Sequence, residues 1–301
     1  NVINTGLRYI HNDMCYPAIV VIGQLINAIQ SGICDPNNTS IMLFQTCGAC
    51  RATNYMNVLR MALKDAGYPQ IPVFAVWGLE TDAFKLDRDS LTEAIKAAVY
   101  GDVLMNVKNR TMPYELNKGE TQAVYDKWMA KCKEELSREK SGYKRFANNI
   151  HAMVRDFEAI PIDENLWKPK VGIVGEILAK YHPVANNHIE RVLFEEGAEV
   201  VMPDFVDFFM YSAYDAVVKR ELLDGSLKSK LMAQMFIHLM EFYRRPVRSA
   251  MKHSKRYLPP HTIGEIARLA KEHVSLGNMA GEGWFLTGEM IELLHTNVPN
   301  I

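Results

Sequence analysis

Three things are scarce in this chain, and each scarcity narrows what the protein can be. An excess of charge of one sign is nearly absent: 34 Lys and Arg against 35 Asp and Glu leave a formal net charge of -1, and no basic run offers the footprint that nucleic acid requires. Nucleic acid is therefore disfavoured as a partner. Long hydrophobic runs are missing too. The longest, Ala18 to Ile22, falls far short of the roughly 20 residues that cross a bilayer, and the first residues hold no basic segment followed by an apolar one. No membrane partner is expected. Cysteine is sparse, five in all, and an odd number suits reduced or metal-bound thiols better than a secreted disulfide framework. The expected compartment is the cytoplasm, where the sequons at Asn37, Asn38 and Asn109 have no consequence.

What is present is material for a large core: 301 residues, 48% of them hydrophobic, enough for two domains. The stretch from Ser40 to Gly67, SIMLFQTCGACRATNYMNVLRMALKDAG, organises the rest. Ser40 to Gln45 is an apolar run of strand length, and Tyr55, Val58, Leu59 and Ala62 then recur at helical spacing until Gly67 stops them. Cys47 and Cys50 fall in the turn between strand and helix. Backbone N–H groups and the helix dipole favour a thiolate there, and Arg51 adds a positive charge. The turn reads either as metal-bound or reactive cysteine, or as a C-x-x-C thiol redox pair.

Around this stretch, residues 2 to 10 read as an entering strand. Pro17 suits the first turn of a helix running through Ile29 to a stop at Gly32, which puts Cys15 at a helix start. Taken alone, Cys15 reads first as a small buried apolar residue. Ile71 to Trp77 is a second strand-like run, giving a βαβ unit with a right-handed crossover. Ser90 caps a helix through Ala98, and residues 119 to 160 read as two helices separated near Ser141 and Gly142. Cys132, between Lys131 and Lys133 on an exposed-looking helix, and Cys34, beside a turn, carry no expected role. Residues 168 to 203 repeat the strand, helix, strand pattern, and from Asp204 onward the chain turns helical.

The expected fold is thus α/β, two Rossmann-like parallel-sheet domains with a helical insertion: residues 1–160 carrying the cysteine turn, and 161–301 with a helical C-terminal part. Gly172 and Gly175 lack the dinucleotide glycine pattern, and Glu176 sets a negative charge where a pyrophosphate would sit, so NAD is disfavoured. Ligands bind beyond the carboxyl ends of strands in open α/β sheets. A cleft shared by Cys50, Arg51, Gly175 and Glu176 is therefore expected, with His11 and Asp13 also near strand ends. His182 and His188 read as surface or capping residues, and Gly281-Glu282-Gly283 as a structural turn.

Four segments carry a resemblance when taken together: NDMCYPAIVVIGQLI at 12–26, QTCGACRATNY at 45–55, KPKVGIVGEILAKYHPVANN at 168–187 and GEGWFLTGEM at 281–290. They resemble the activase-related proteins of the 2-hydroxyacyl-CoA dehydratase system, in their region similar to the dehydratase subunits. The resemblance implies an iron-sulfur (4Fe-4S) cluster held by three cysteines from separated segments. Its positions match Cys15 and the Cys47/Cys50 turn. Cys50 is preferred because it abuts the helix and Arg51, and because relatives often carry glycine where Cys47 stands. Arg51, Gly175 and Glu176 are the expected cofactor-side residues. A third cysteine ligand is expected in a segment beyond the helix that ends near His295, so the cluster is expected to be absent or incomplete in this chain.

The same resemblance implies an ATP-binding activase domain upstream in a longer polypeptide; that actin-like domain has no counterpart in this chain, where no Asp-Gly phosphate loops of its type are found. It implies a CoA-thioester substrate, or a dehydratase or electron-donor protein, as partner. The chemistry is delivery of one electron at very negative potential to a thioester, in a lyase-type acyl-CoA dehydratase component or its activase. The alternative is a non-catalytic binding or scaffold domain with a degenerate cluster site.

Overall fold

Helix covers 62% of the described residues and strand only 5%, so the expected pair of Rossmann-like sheet domains is not what the chain forms. The computed structural model describes residues 1–44, 50–77, 88–138 and 142–301. Parallel pairing does occur at the two places where apolar runs predict strands, but among the described residues each sheet has two strands. The reason for the discrepancy is local. A short apolar run bounded by turns marks a buried strand equally well in a large sheet or in a two-stranded one. The residues between the pairs are amphipathic helices that pack mainly on one another. By its contacts the chain separates into Asn1–Asp87 and Arg88–Ile301, called unit 1 and unit 2 below; residue 160, the boundary expected from sequence, follows a helix inside unit 2.

Unit 1 begins with α1 (Val2–Tyr9) and α2 (Tyr16–Gln30). The expected entering strand is therefore a helix. The Asn1 side chain caps it by accepting the Ile3 N–H, and Ile3, Gly6 and Ile10, spaced as on one helical face, turn inward. Two glycines let the helices meet backbone to backbone. A Cβ at Gly6 would overlap the Ile19 carbonyl oxygen, and one at Gly23 would overlap that of Val2. Gly23→Ala is accordingly expected to destabilise unit 1 by about 1–3 kcal/mol, read as a lowered urea midpoint. A midpoint equal to that of the parent chain would refute the crossing.

The remainder of unit 1 is β1 (Ile41–Phe44), a single 3-10 turn (Arg51–Asn54), α3 (Tyr55–Asp65) and β2 (Val73–Trp77). β1 and β2 pair in parallel, Ile41 opposite Val73 and Leu43 opposite Ala75. Ile22 and Ile26 of α2, Leu59 and Leu63 of α3, and Ile41 and Val73 of the sheet form one buried cluster.

Unit 2 contains α4 (Arg88–Thr111), α5 (Glu120–Leu136), α6 (Tyr143–Glu158), β3 (Lys170–Gly172), α7 (Ile177–Tyr181), α8 (Ile189–Glu195), β4 (Glu199–Val201), α9 (Phe205–Leu222), α10 (Leu227–Met251), α11 (Ile263–Lys271) and α12 (Gly283–His295). β3 and β4 pair in parallel, and Asn300 adds a further parallel bridge to Val171. The core is helical and aromatic. Phe146, Ile150, Val154 and Phe157 of α6 fall on one face and are buried. Tyr211 of α9 stacks on Phe285 of α12, ring centroids 4.9 Å apart, and its hydroxyl donates to the Met279 carbonyl.

Cys132 is buried on α5 with Trp128 rather than exposed, because the helical period turns that face inward while Lys131 and Lys133 point elsewhere. Burial pushes its thiol up to about 12, which makes it inert. Pro246 lies inside α10 and cannot donate to the carbonyl of Phe242 one turn earlier. That carbonyl instead accepts the Tyr143 hydroxyl of α6 at 3.3 Å.

A polar network crosses the core of unit 2. The Arg244 guanidinium, 1% exposed, donates to Asp204 at 2.7 Å and to Asp207 at 2.8 Å. Asn106 donates to the other Asp204 oxygen. Asp102 reaches from α4 to accept the first N–H groups of α9, those of Phe205 and Val206. His261 pairs with Glu292 at 2.7 Å. No helix among the described residues is long and apolar enough to cross a membrane.

Candidate functional site

The thiols of unit 1 stand where two helical segments begin. Cys15 is the residue before α2, extended at φ −61 and ψ 147, with Pro17 in the first turn and the Ala18 and Ile19 N–H groups turned back to its carbonyl. Its backbone thereby starts the helix while its side chain stays available. Cys50 occupies the same position before the 3-10 turn that runs directly into α3, at φ −76 and ψ 140, and its sulfur accepts the Ala52 N–H at 3.4 Å. Cys15 is partly buried and Cys50 is exposed.

One side chain joins the two segments. The Cys15 sulfur lies 2.7 Å from the hydroxyl of Tyr55, and Tyr55 is the first residue of α3, at the end of the turn that Cys50 opens. The phenol therefore holds Cys15 against the start of α3. Tyr55 is the contact that the sequence reading misses: its apolar ring fits the helical pattern, and nothing in the spacing announces a hydroxyl aimed at a residue 40 positions earlier. Arg51 is exposed on the turn. Cys47 lies outside the described residues. Cys34 is partly buried. Among the described residues no three His, Cys, Asp or Glu side chains gather in a group able to hold a metal.

Gly175 and Glu176 belong to unit 2, and Cys50 and Arg51 to unit 1. Glu176 caps α7 by accepting the Ala179 N–H at 2.9 Å. Glu282, the residue before α12, accepts the neighbouring Ile177 N–H at 3.2 Å. Two carboxylates thus take donors of the first turn of α7, and burial raises the Glu282 pKa. The GEGW segment has a packing role as well: a Cβ at Gly283 would overlap the Asn278 carbonyl oxygen. His182 accepts the Ala185 N–H and His188 starts α8 in a left-handed conformation, φ 58, both in capping positions. His11 and Asp13 face each other, exposed, in the turn before Cys15.

Comparison with family models, with curated proteins and with solved structures finds no match for this chain.

Proposed function

We propose that the chain is an iron-sulfur electron-transfer module that acts on or beside CoA thioesters, with Cys15 and Cys50 of unit 1 as thiolate ligands. The observation that carries this reading is the Tyr55 link, which brings the Cys15 thiol to the helical segment opened by Cys50. The thioester enters through the resemblance of the four quoted segments alone. A thiolate-ligated cluster, when bound, supplies an electron at low potential. The residues of the chain would do the rest. Cys15 and Cys50 offer sulfur from two separate segments, the Ala52 N–H donates to the Cys50 sulfur, and the Tyr55 hydroxyl orients that of Cys15. Hydrogen bonds to ligand sulfurs are a known lever on cluster potential.

The test is anaerobic reconstitution with ferrous iron and sulfide, followed by iron analysis and EPR. With Cys15 and Cys50 as ligands and the third cysteine expected elsewhere, the parent chain is expected to retain iron only as an incomplete cluster, below the amount of an intact 4Fe-4S cube. Cys15→Ser and Cys50→Ser are each expected to reduce bound iron by about tenfold or more, and Tyr55→Phe to retain iron with a shifted reduction potential. Iron retained equally by the parent and both serine variants would refute the ligand assignment. A second reading, a binding or scaffold domain with a degenerate cluster site, is favoured by the lack of a three-ligand group among the described residues. A folded parent chain that takes up no iron selects it.

A further inference from the structure

Unit 2 encloses a cavity of about 60 Å³ at the carboxyl end of β4, where Val201, Met202 and Pro203 leave the strand. That is room for about four water-sized centres. Its rim reaches the surface at Leu258 and Pro259, and its wall combines apolar side chains, among them Val99, Val103 and Leu293, with charged ones. The charged groups are matched, with one exception. Asp204 and Asp207 share Arg244, Glu292 holds His261, and Asp102 takes two backbone N–H groups of α9.

The exception is Arg110, in the last turn of α4. Its Nε is sealed from solvent without a hydrogen-bond partner, and among the described residues its guanidinium makes no ion pair. Burial lowers its pKa, while Glu199, Asp204 and Glu292 pull the other way from a distance. Each of those carboxylates already has a closer partner: Glu199 accepts the Tyr114 hydroxyl, Asp204 binds Asn106 and Arg244, and Glu292 binds His261. A largely enclosed guanidinium without an acceptor is costly, and with Nε sealed its two terminal nitrogens are the open edge, a fork that a carboxylate fills with two parallel hydrogen bonds.

We propose that this cavity binds a short-chain carboxylate, gripped by the Arg110 fork with its apolar tail against Val99, Val103 and Leu293. The donor set favours a planar two-oxygen acceptor over a phosphate. The N–H groups at the start of α9, which would serve further phosphate oxygens, are taken by Asp102, and the Asp204 and Glu292 carboxylates in the same wall oppose the higher charge of phosphate. The position agrees with the general placement of ligands beyond the carboxyl ends of parallel strands. The inference is independent of the thiols of unit 1 and needs no iron.

The experiment titrates the whole chain with acetate, butyrate and inorganic phosphate by calorimetry, ionic strength being held constant with sodium chloride. Saturable binding of acetate and butyrate is expected, with butyrate the tighter and phosphate showing none. Arg110→Lys keeps the charge but loses the fork and is expected to weaken binding by about tenfold. Arg110→Met is expected to abolish it. A second readout on the parent chain does not depend on the folding of any variant: butyrate should shift one arginine Nε–H resonance saturably, and chloride should not. No saturable heat and no shift would overturn the proposal, leaving Arg110 merely hydrated. So would phosphate binding without carboxylate binding, or an affinity unchanged in a folded Arg110→Met.

Discussion

Lys180→Met is expected to lower the stability of unit 2 by about 3–5 kcal/mol, the usual effect of removing one partner from a buried ion pair. Lys180 is 3% exposed and Glu289 is 0% exposed, their charged atoms are 2.6 Å apart, and the second Glu289 oxygen has no partner. Burial pushes the Glu289 carboxyl from its ordinary 4.5 up to about 7, even with Lys180 pulling it down. The sign of the pH dependence follows. Between those two values the folded chain holds the proton more tightly than the unfolded chain, so this group's contribution falls as pH rises through the window. Without Lys180 the carboxyl has no cation to ionise against. The loss should therefore be largest near pH 8.5 and smallest near pH 5, where Glu289 is protonated. Urea unfolding at the two pH values measures it, and an equal loss at both would contradict the account. Lys180→Met with Glu289→Leu, which replaces both charges by apolar groups, should return most of the stability.

Arg244→Met is expected to cost a similar 3–5 kcal/mol or so, for a different reason. One cation here hydrogen-bonds two carboxylates, Asp204 and Asp207, and lies 3.8 Å from a third, Glu241. Burial acts against the Arg244 charge, but Asp207 and Asp204 outweigh it and raise its pKa. Removing the guanidinium strands Asp204 and Asp207 together in the interior, where burial already pushes the Asp207 carboxyl upward. It also releases the His261 carbonyl, which accepts from Arg244 at 3.3 Å. Asp207→Asn added to Arg244→Met should recover part of the loss, because it removes one of the two stranded charges. Thermal or urea unfolding of the single and double variants tests this. A double variant less stable than the single one would show that Asp207 is held by something other than Arg244.

The parts of the fold that were legible in the sequence are those fixed by neighbours along the chain. Pro17 and Gly32 bracket α2, the break near Gly142 separates α5 from α6, and the runs at Ile41 and Val73, or at Val171 and Val200, do form parallel pairs. The parts that were not legible depend on partners far away. α1 reads as a strand because its apolar residues are few and Val2, Ile3 and Thr5 are β-branched. What makes it a helix is the Asn1 cap and the approach of Gly23 from α2. The number of strands per sheet is likewise no property of any single run. At the thiols, the helix starts of Cys15 and Cys50 were readable from Pro17 and from the strand-to-helix turn. The Tyr55 hydroxyl that joins them was not. Arg110 was invisible for the same reason, since the significance of an unmatched cation emerges only when Asp204, Arg244, His261 and Glu292 have been paired off across the fold.

The hydroxyl of Tyr143 that replaces the missing Pro246 donor makes the length of α10 a collective property. A 25-residue helix with an internal proline has a weak point in its own hydrogen-bond ladder. Here the repair comes from another helix, 99 positions away in the chain. The last turn and a half of α10, which carries Val247 and Met251 into the core, is therefore coupled to the docking of α6. Loosening α6 is expected to withdraw the acceptor's partner and to fray α10 from its C-terminal end.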